Sequence, residues 1–204
     1  VHQTCRCPMA LTYSQEIALG TEAPPFDLPV VNPEADGLDK PTRSLEDFAD
    51  ARALVVVFTC NHCPYAQHIE DALIELARAY QPKGVRFVAI NANDPEQYPE
   101  DAPEEMARRA RAKGYPFPYL FDETQEVAKA YGALCTPDLY VFDADRRLVY
   151  HGRFDDTRPG QGRPATGADL KRALDELLDT GKVSGPQYPS MGCNIKWKPG
   201  NEPR

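Results

Sequence analysis

Apolar positions along this chain fall into short continuous runs that alternate with stripes at helical spacing. The run Leu54-Val55-Val56-Val57-Phe58 is unbroken and β-branched, which predicts a strand buried on both faces. From Pro64 the period changes. Ile69, Leu73, Leu76, Ala77 and Tyr80 share one helical stripe, and Pro82 and Gly84 close it. Residues 85–91 predict a second buried strand, followed by a proline-rich loop over 94–103. Asp101 and Glu104 read as a capping box, with Pro103 in the first turn of a short helix ending near Gly114. Residues 119–121 predict a short strand, and Asp122 and Gln125 cap a helix through Val127, Ala128 and Tyr131 that stops at Gly132. Two strands, 139–142 and 148–154, meet at the hairpin signal Asp143-Ala144-Asp145. Thr166 caps a last helix with the stripe Leu170, Ala173, Leu174, Leu177 and Leu178, and Gly181 follows it. The order is β-α-β-α-β-α-β-β-α. Ahead of it, residues 24–29 read as an edge strand, Asp36-Gly37 as a turn, and Ser44 with Asp47 as a capped helical turn.

Composition narrows the partners. With 204 residues and 42% hydrophobic content the chain can bury one sizeable core. A formal net charge of −8 argues against nucleic acid and anionic membrane. The longest apolar stretch is the run ending at Phe58, far too short to span a bilayer. No apolar segment with a small-residue cleavage site marks the start, so a reducing cytoplasm is the expected home, where thiols tend to be catalytic or metal-binding. Residues 1–8 carry Cys5 and Cys7 without periodicity, and no function is placed there.

Chemistry concentrates where the first buried run meets the helical stripe. Cys60-Asn61-His62-Cys63 occupies that turn. A C-x-x-C there brings two sulfurs within disulfide range and aims a helix N-terminus at them, which favours thiolate over thiol. Two buried, inert cysteines are the bland alternative, and motif and context together favour a redox couple over it. His62, between the cysteines, can donate to a thiolate or lower its pKa as imidazolium. Pro64 suits a first helical position, which would make Cys63 the N-cap and give it the stronger helix effect.

These residues resemble a known group. The element order, the C-x-x-C after the first buried strand and Thr136-Pro137 before the hairpin look like the thioredoxin superfamily. Cys-Asn-His-Cys-Pro at 60–64 is similar to a peroxiredoxin-like (redoxin) branch, as are Phe117-Pro118-Tyr119-Leu120-Phe121-Asp122, Cys135-Thr136-Pro137-Asp138 and Gly192-Cys193-Asn194-Ile195-Lys196-Trp197. The resemblance covers residues 23–197. It implies an α/β thioredoxin fold with a peroxiredoxin-like N-terminal β extension and an irregular C-terminal tail. The expected divisions are a poorly ordered leader over 1–22, a thioredoxin-like domain over 23–181, and a Pro/Gly-rich tail over 182–204 that docks on it. It also implies that Pro137 is cis and, with Thr136, shapes a groove for the substrate beside the active-site sulfurs. By analogy with thioredoxins Cys60 is the attacking thiol and Cys63 the resolving one. A histidine between the cysteines resembles strongly oxidising exchangers, so the potential should lie above thioredoxin's.

Two departures shape the functional expectation. If Cys63 takes the peroxidatic place, the family's peroxide-orienting threonine and arginine positions are Cys60 and Pro137, and its proline position is Val56. Peroxide would then be poorly oriented. Nor does the run ending at Thr59 contain an acid to act as a buried proton acceptor, as thioredoxins have. The expectation is a thiol-disulfide oxidoreductase using Cys60 and Cys63, with no cofactor and no metal. Its partners would be protein or small-molecule thiols and disulfides, with a thioredoxin- or glutathione-type reductant, in an antioxidant setting. One alternative is a thiol peroxidase built on Cys63. Another is a metal-handling or redox-regulated binding protein using Cys60, His62 and Cys63, with a fourth thiol from Cys135 or Cys193. Cys135, next to the proline, reads equally as redox thiol or core residue. Cys193 could resolve a mixed disulfide from the tail, although docking of Trp197 is the better account of that segment. Tyr65, Tyr98 and Tyr115 could line a groove, Asp155-Asp156 reads as a turn or cap, and His68 and His151 read as surface residues.

Overall fold

A computed structural model describes residues 11–204, so Cys5 and Cys7 lie outside the described residues. Its centre is β4 (Ala53–Phe58), every residue of which is buried. Alternate side chains explain why the run has no polar position. Ala53, Val55 and Val57 join a core with Leu73, Ala77, Met106 and Leu174. Leu54, Val56 and Phe58 join another with Phe26, Phe48, Val127 and Tyr131. Both faces of the strand are therefore covered, which is why period-2 alternation is missing.

In chain order the other elements begin with β1 (Leu11–Tyr13), β2 (Asp27–Pro29) and β3 (Thr42–Ser44). After β4 come α1 (Pro64–Tyr80), β5 (Val85–Asn91), α2 (Pro103–Lys113), β6 (Tyr119–Phe121) and α3 (Glu126–Tyr131). The chain closes with β7 (Cys135–Thr136), β8 (Asp138–Phe142), β9 (Leu148–Gly152), α4 (Ala168–Thr180) and β10 (Met191–Asn194). The main sheet has the order β6-β5-β4-β8-β9. β4, β5 and β6 run parallel, while β8 and β9 are antiparallel additions. Residues of α1, α2 and α4 pack on one face, and α3 with the β2–β3 ribbon on the other. No helix among the described residues is long and apolar enough to cross a membrane.

Several local expectations meet a different outcome. β9 stops at Gly152, and the next amide, Arg153 N, donates to Tyr188 O at 3.0 Å instead of to the sheet. Gly167, not Thr166, is the N-cap residue of α4, and Asp155 accepts the Thr166 and Gly167 amides at 2.7 and 2.9 Å. Asp101 and Glu104 form no capping box: Ala102 precedes α2 without a side-chain cap. The span expected as a loose leader includes β1, which pairs antiparallel with β10 in a second sheet of order β1-β10-β7. Local propensity says little about β1, since its partner is supplied by the far end of the chain.

The tail is tied down by backbone as well as side chains. Cys193 registers with Thr136, and Asn194 with Cys135. The Ile195 amide donates to Leu134 O at 3.0 Å, and Asp94 N to Lys196 O at 2.9 Å. Gln125 adds a clamp: its Nε2 donates to Lys196 O at 3.0 Å and its Oε1 accepts Lys198 N at 2.9 Å. Gly192 is the tightest point, for a Cβ there would stand 1.9 Å from the Thr136 carbonyl oxygen. Ile195 is buried and Trp197 packs on the same core.

Candidate active site

The sequence between β4 and α1 must turn sharply, and the surrounding loops hold it. Cys63 is the N-cap residue of the 17-residue α1, with extended backbone, and Pro64 takes the first helical position. Asn61 is the anchor of the turn. Its amide donates to Asp101 Oδ1 at 2.7 Å, its Nδ2 to Glu100 O at 2.9 Å, and its Oδ1 accepts the Tyr119 hydroxyl at 2.9 Å. Gln67 Nε2 donates back to Asn61 O at 2.7 Å. The 3-10 turn Pro99–Asp101, inside the expected proline-rich loop, thus braces the motif.

Three sulfurs converge on β7. Cys63 is bonded to Cys193 of β10, while Cys60 and Cys135 are free and buried. The expected Cys60–Cys63 bond is therefore not the one present. Cys63 Sγ lies 3.6 Å from Thr136 O, and Cys60 Sγ lies 3.5 Å from Thr136 Oγ1. The Thr136–Pro137 peptide is cis, the geometry the resemblance implies. Cys60, Cys63, Ala66 and Cys193 form a small apolar cluster with Tyr65 against it. Burial, with the Asp101 carboxylate nearby, pushes the Cys60 thiol up to about 12. Cys135 is also raised, first by burial and then by Asp138.

Asp101 is the residue that sequence reasoning placed wrongly. It is fully buried, and each carboxylate oxygen accepts two hydrogen bonds. Oδ1 takes Asn61 N and Asn91 Nδ2 at 3.1 Å, and Oδ2 takes Asn93 Nδ2 at 3.0 Å and His62 Nδ1. Burial alone would raise its pKa, but these donors, His62 foremost, hold the carboxyl below its usual range. The His62 ring stacks on Tyr98 with centroids 5.0 Å apart and planes 8° from parallel. A signal existed in the sequence: Asn91 and Asn93 follow an otherwise apolar buried run, and buried amides need a partner.

The remaining candidates sort by their contacts. His151 is buried, not on the surface, and its Nε2 lies 3.0 Å from both Asp138 oxygens. His68 Nε2 pairs with Thr157 Oγ1 at 2.8 Å. Tyr115 is buried with its hydroxyl donating to Glu70 at 2.5 Å, so it lines no groove at the motif. One sulfur, nitrogen and oxygen of Cys60, His62 and Asp101 come within 4.8 Å of one another. They do not make an open cation site, since the carboxylate is saturated by four donors and the Cys60 thiol holds its proton near neutrality. A hollow of about 170 Å³ opens beside Pro137, Tyr65 and Met191.

This architecture has counterparts. Residues 19–151 match the family model described as the AhpC/TSA family. An uncharacterized conserved protein from Geobacillus kaustophilus is 53% identical, with a TM-score of 0.87 over 94% of this chain and 98% of that one. A hypothetical protein from Sinorhizobium meliloti 1021 is 47% identical, with a TM-score of 0.87 over 93% of this chain and 100% of that one. A thiol:disulfide interchange protein of the thioredoxin family from Chlorobium tepidum TLS shares the fold at 20% identity, with a TM-score of 0.58 over 80% of this chain and 99% of that one. No curated protein matches the chain.

Proposed function

The chain belongs to the AhpC/TSA family and has a thioredoxin fold, and from that premise we propose a thiol-disulfide oxidoreductase with Cys63 as the attacking thiol. One observation carries the choice: Cys63 caps α1 and is joined to Cys193, while Cys60 lies buried and reduced against the same Thr136. The unpaired amides and dipole at the start of a 17-residue helix favour a thiolate at Cys63. Cys60 is no more buried than Cys63 but stands before the helix start, and burial with the Asp101 carboxylate nearby pushes its thiol up to about 12. These features support exchanging the roles that the thioredoxin analogy gives the two cysteines.

In the proposed cycle the Cys63 thiolate attacks one sulfur of a substrate disulfide. A Cys63–substrate bond forms, the substrate S–S bond breaks, and the first substrate thiol leaves. A second protein thiol, Cys193 in the state described here, then attacks Cys63 Sγ and expels the other substrate thiol. The substrate gains two electrons and two protons, and the protein ends with the Cys63–Cys193 bond. A dithiol or glutathione-type reductant returns it to the start. Thr136 and Pro137 border the sulfurs and would hold the substrate backbone.

A peroxidase reading draws support from the family but less from the site. The positions where the family's threonine and arginine would orient peroxide hold Cys60 and Pro137. Stopped-flow mixing of reduced protein with a model disulfide and, separately, with hydrogen peroxide separates the two. The proposal expects rapid exchange with the disulfide, slow reaction with peroxide, and loss of exchange in Cys63→Ser. Fast peroxide consumption that depends on Cys63 would overturn it.

A further inference from the structure

The cycle leaves Cys60 without a task, yet it is buried 3.5 Å from the Thr136 hydroxyl, within the same sulfur cluster as Cys63. To attack Cys63 Sγ it must first lose a proton. With its pKa near 12 the thiolate fraction at pH 7 is on the order of one part in 10⁵. A buried thiol in that state needs a base within reach.

The groups around it identify that base. One atom each of Cys60, His62 and Asp101 lie within 4.8 Å of one another. The Asp101 carboxyl is held below its usual range and accepts, so His62 Nδ1 is the donor between them. His62 Nε2 is buried and has no hydrogen-bond partner among the described residues, so no other group there occupies it. Other charged groups face the pair but are engaged elsewhere. On α2, Arg109 is bound to Glu70 at 2.8 Å, Lys113 to Asp71 at 2.7 Å and Arg108 to Glu105 at 2.5 Å. Lys196 reaches over Tyr98 from the tail and donates to Asn194 O at 2.9 Å. Glu100 contributes its backbone carbonyl to Asn61, and Tyr119 donates its hydroxyl to the same residue.

We infer that the His62–Asp101 pair is the proton acceptor for Cys60, making Cys60 a second resolving thiol for disulfides formed at Cys63. The inference rests on Cys63 being the attacking thiol. The Cys60 S–H bond breaks, its proton goes to the imidazole of the His62–Asp101 pair, and the electron pair stays on sulfur. The thiolate attacks Cys63 Sγ, the new S–S bond forms, and the substrate sulfur leaves as a thiolate that collects the proton. Asp101 touches no substrate. It is a positioning residue: it fixes the tautomer, holds the ring, and balances the imidazolium that forms. The carboxylate that β4 lacks is thus supplied from the 3-10 turn Pro99–Asp101.

The test uses the full chain carrying Cys193→Ser, so that Cys60 is the remaining resolving candidate at the cluster. Reduced protein is mixed with an aromatic disulfide whose thiolate absorbs visible light. The first release of colour reports attack by Cys63, the second reports resolution by Cys60, and the readout is the ratio of the two rates from pH 6 to pH 10. In Asp101→Asn and His62→Gln the ratio should fall about 100-fold at pH 7 and recover in proportion to hydroxide. Should Asp101→Asn fail to fold, as judged by near-UV circular dichroism, His62→Gln decides, because the other three donors to Asp101 remain. An unchanged ratio and pH profile would overturn the inference, as would a Cys193→Ser protein that releases colour only once. If that protein, folded, releases no colour at all, Cys63 is not the attacking thiol and both readings fall.

Discussion

At the scale of single residues, Asp101 illustrates how a carboxylate can be buried without being neutralised. Four donors surround it, from Asn61, His62, Asn91 and Asn93, and together they outweigh the desolvation that would raise its pKa. A lowered folded-state pKa gives a definite pH dependence. The stability from Asp101 is fully present above the unfolded carboxylate value, near 4, and is lost as pH falls through the lower folded value. Wild-type protein should therefore lose urea resistance, as pH falls below about 4, more steeply than Asp101→Asn. At pH 7 that variant should be less stable by about 3 kcal/mol, since it strands donors around a neutral amide. Equal slopes of stability against pH in the two proteins would mean that Asp101 does not titrate as described. The cysteines predict an ordering of their own. Cys63→Ser should abolish colour release from an aromatic disulfide, whereas Cys60→Ser should keep both releases, because Cys63 still attacks and Cys193 remains to complete the cycle.

At the scale of elements, β10 decides which disulfide forms. It runs antiparallel to β7 and sets Cys193 opposite Thr136, next to Cys63. The approach is possible because residue 192 has no side chain: a Cβ there would overlap the Thr136 carbonyl at 1.9 Å. Gly192→Ala should thus lift β10 from β7 and prevent the Cys63–Cys193 bond. Mass spectrometry after mild oxidation should then find a free Cys193, and an intact bond in that variant would show that β10 docking does not control it. The same contrast explains what could be read in advance. β4 and the stripe of α1 were legible because each carries its whole pattern locally, six apolar residues in one case and Ile69, Leu73, Leu76, Ala77 and Tyr80 in the other. β1 and β10 were not, because strands of three and four residues owe their existence to partners distant in sequence: β1 pairs with β10 across the length of the chain, and β10 also pairs with β7. The C-x-x-C was found from its place between strand and helix. Cys193 was legible as a candidate resolving thiol but its bond to Cys63 was not expected, and the buried acid was missed, since both come through the tail and the 99–101 turn, where local pattern favoured docking and capping.

At the scale of the molecule, the Cys63–Cys193 bond staples the tail to the start of α1 across a separation of 130 residues. Every element of the main sheet after β4, together with α1 to α4, lies inside that covalent loop. The unfolded chain loses most when a long loop is closed, and by the chain-entropy relation a loop of this length corresponds to roughly 5 kcal/mol. Against this stands the non-covalent docking of the tail: Ile195 is buried, and Gln125 clamps Lys196 and Lys198. Reduction should therefore weaken the fold without dismantling it. Urea unfolding of wild type with and without a dithiol reductant should differ by about 2–5 kcal/mol, while Cys193→Ser should resemble reduced wild type and be insensitive to reductant. Cys60→Ser should retain the full reductant sensitivity, because its thiol is outside the bond. If instead Cys60→Ser abolished that sensitivity and Cys193→Ser preserved it, the resting bond in solution would join Cys60 to Cys63. The tail would then be a docked strand with no covalent part in the cycle.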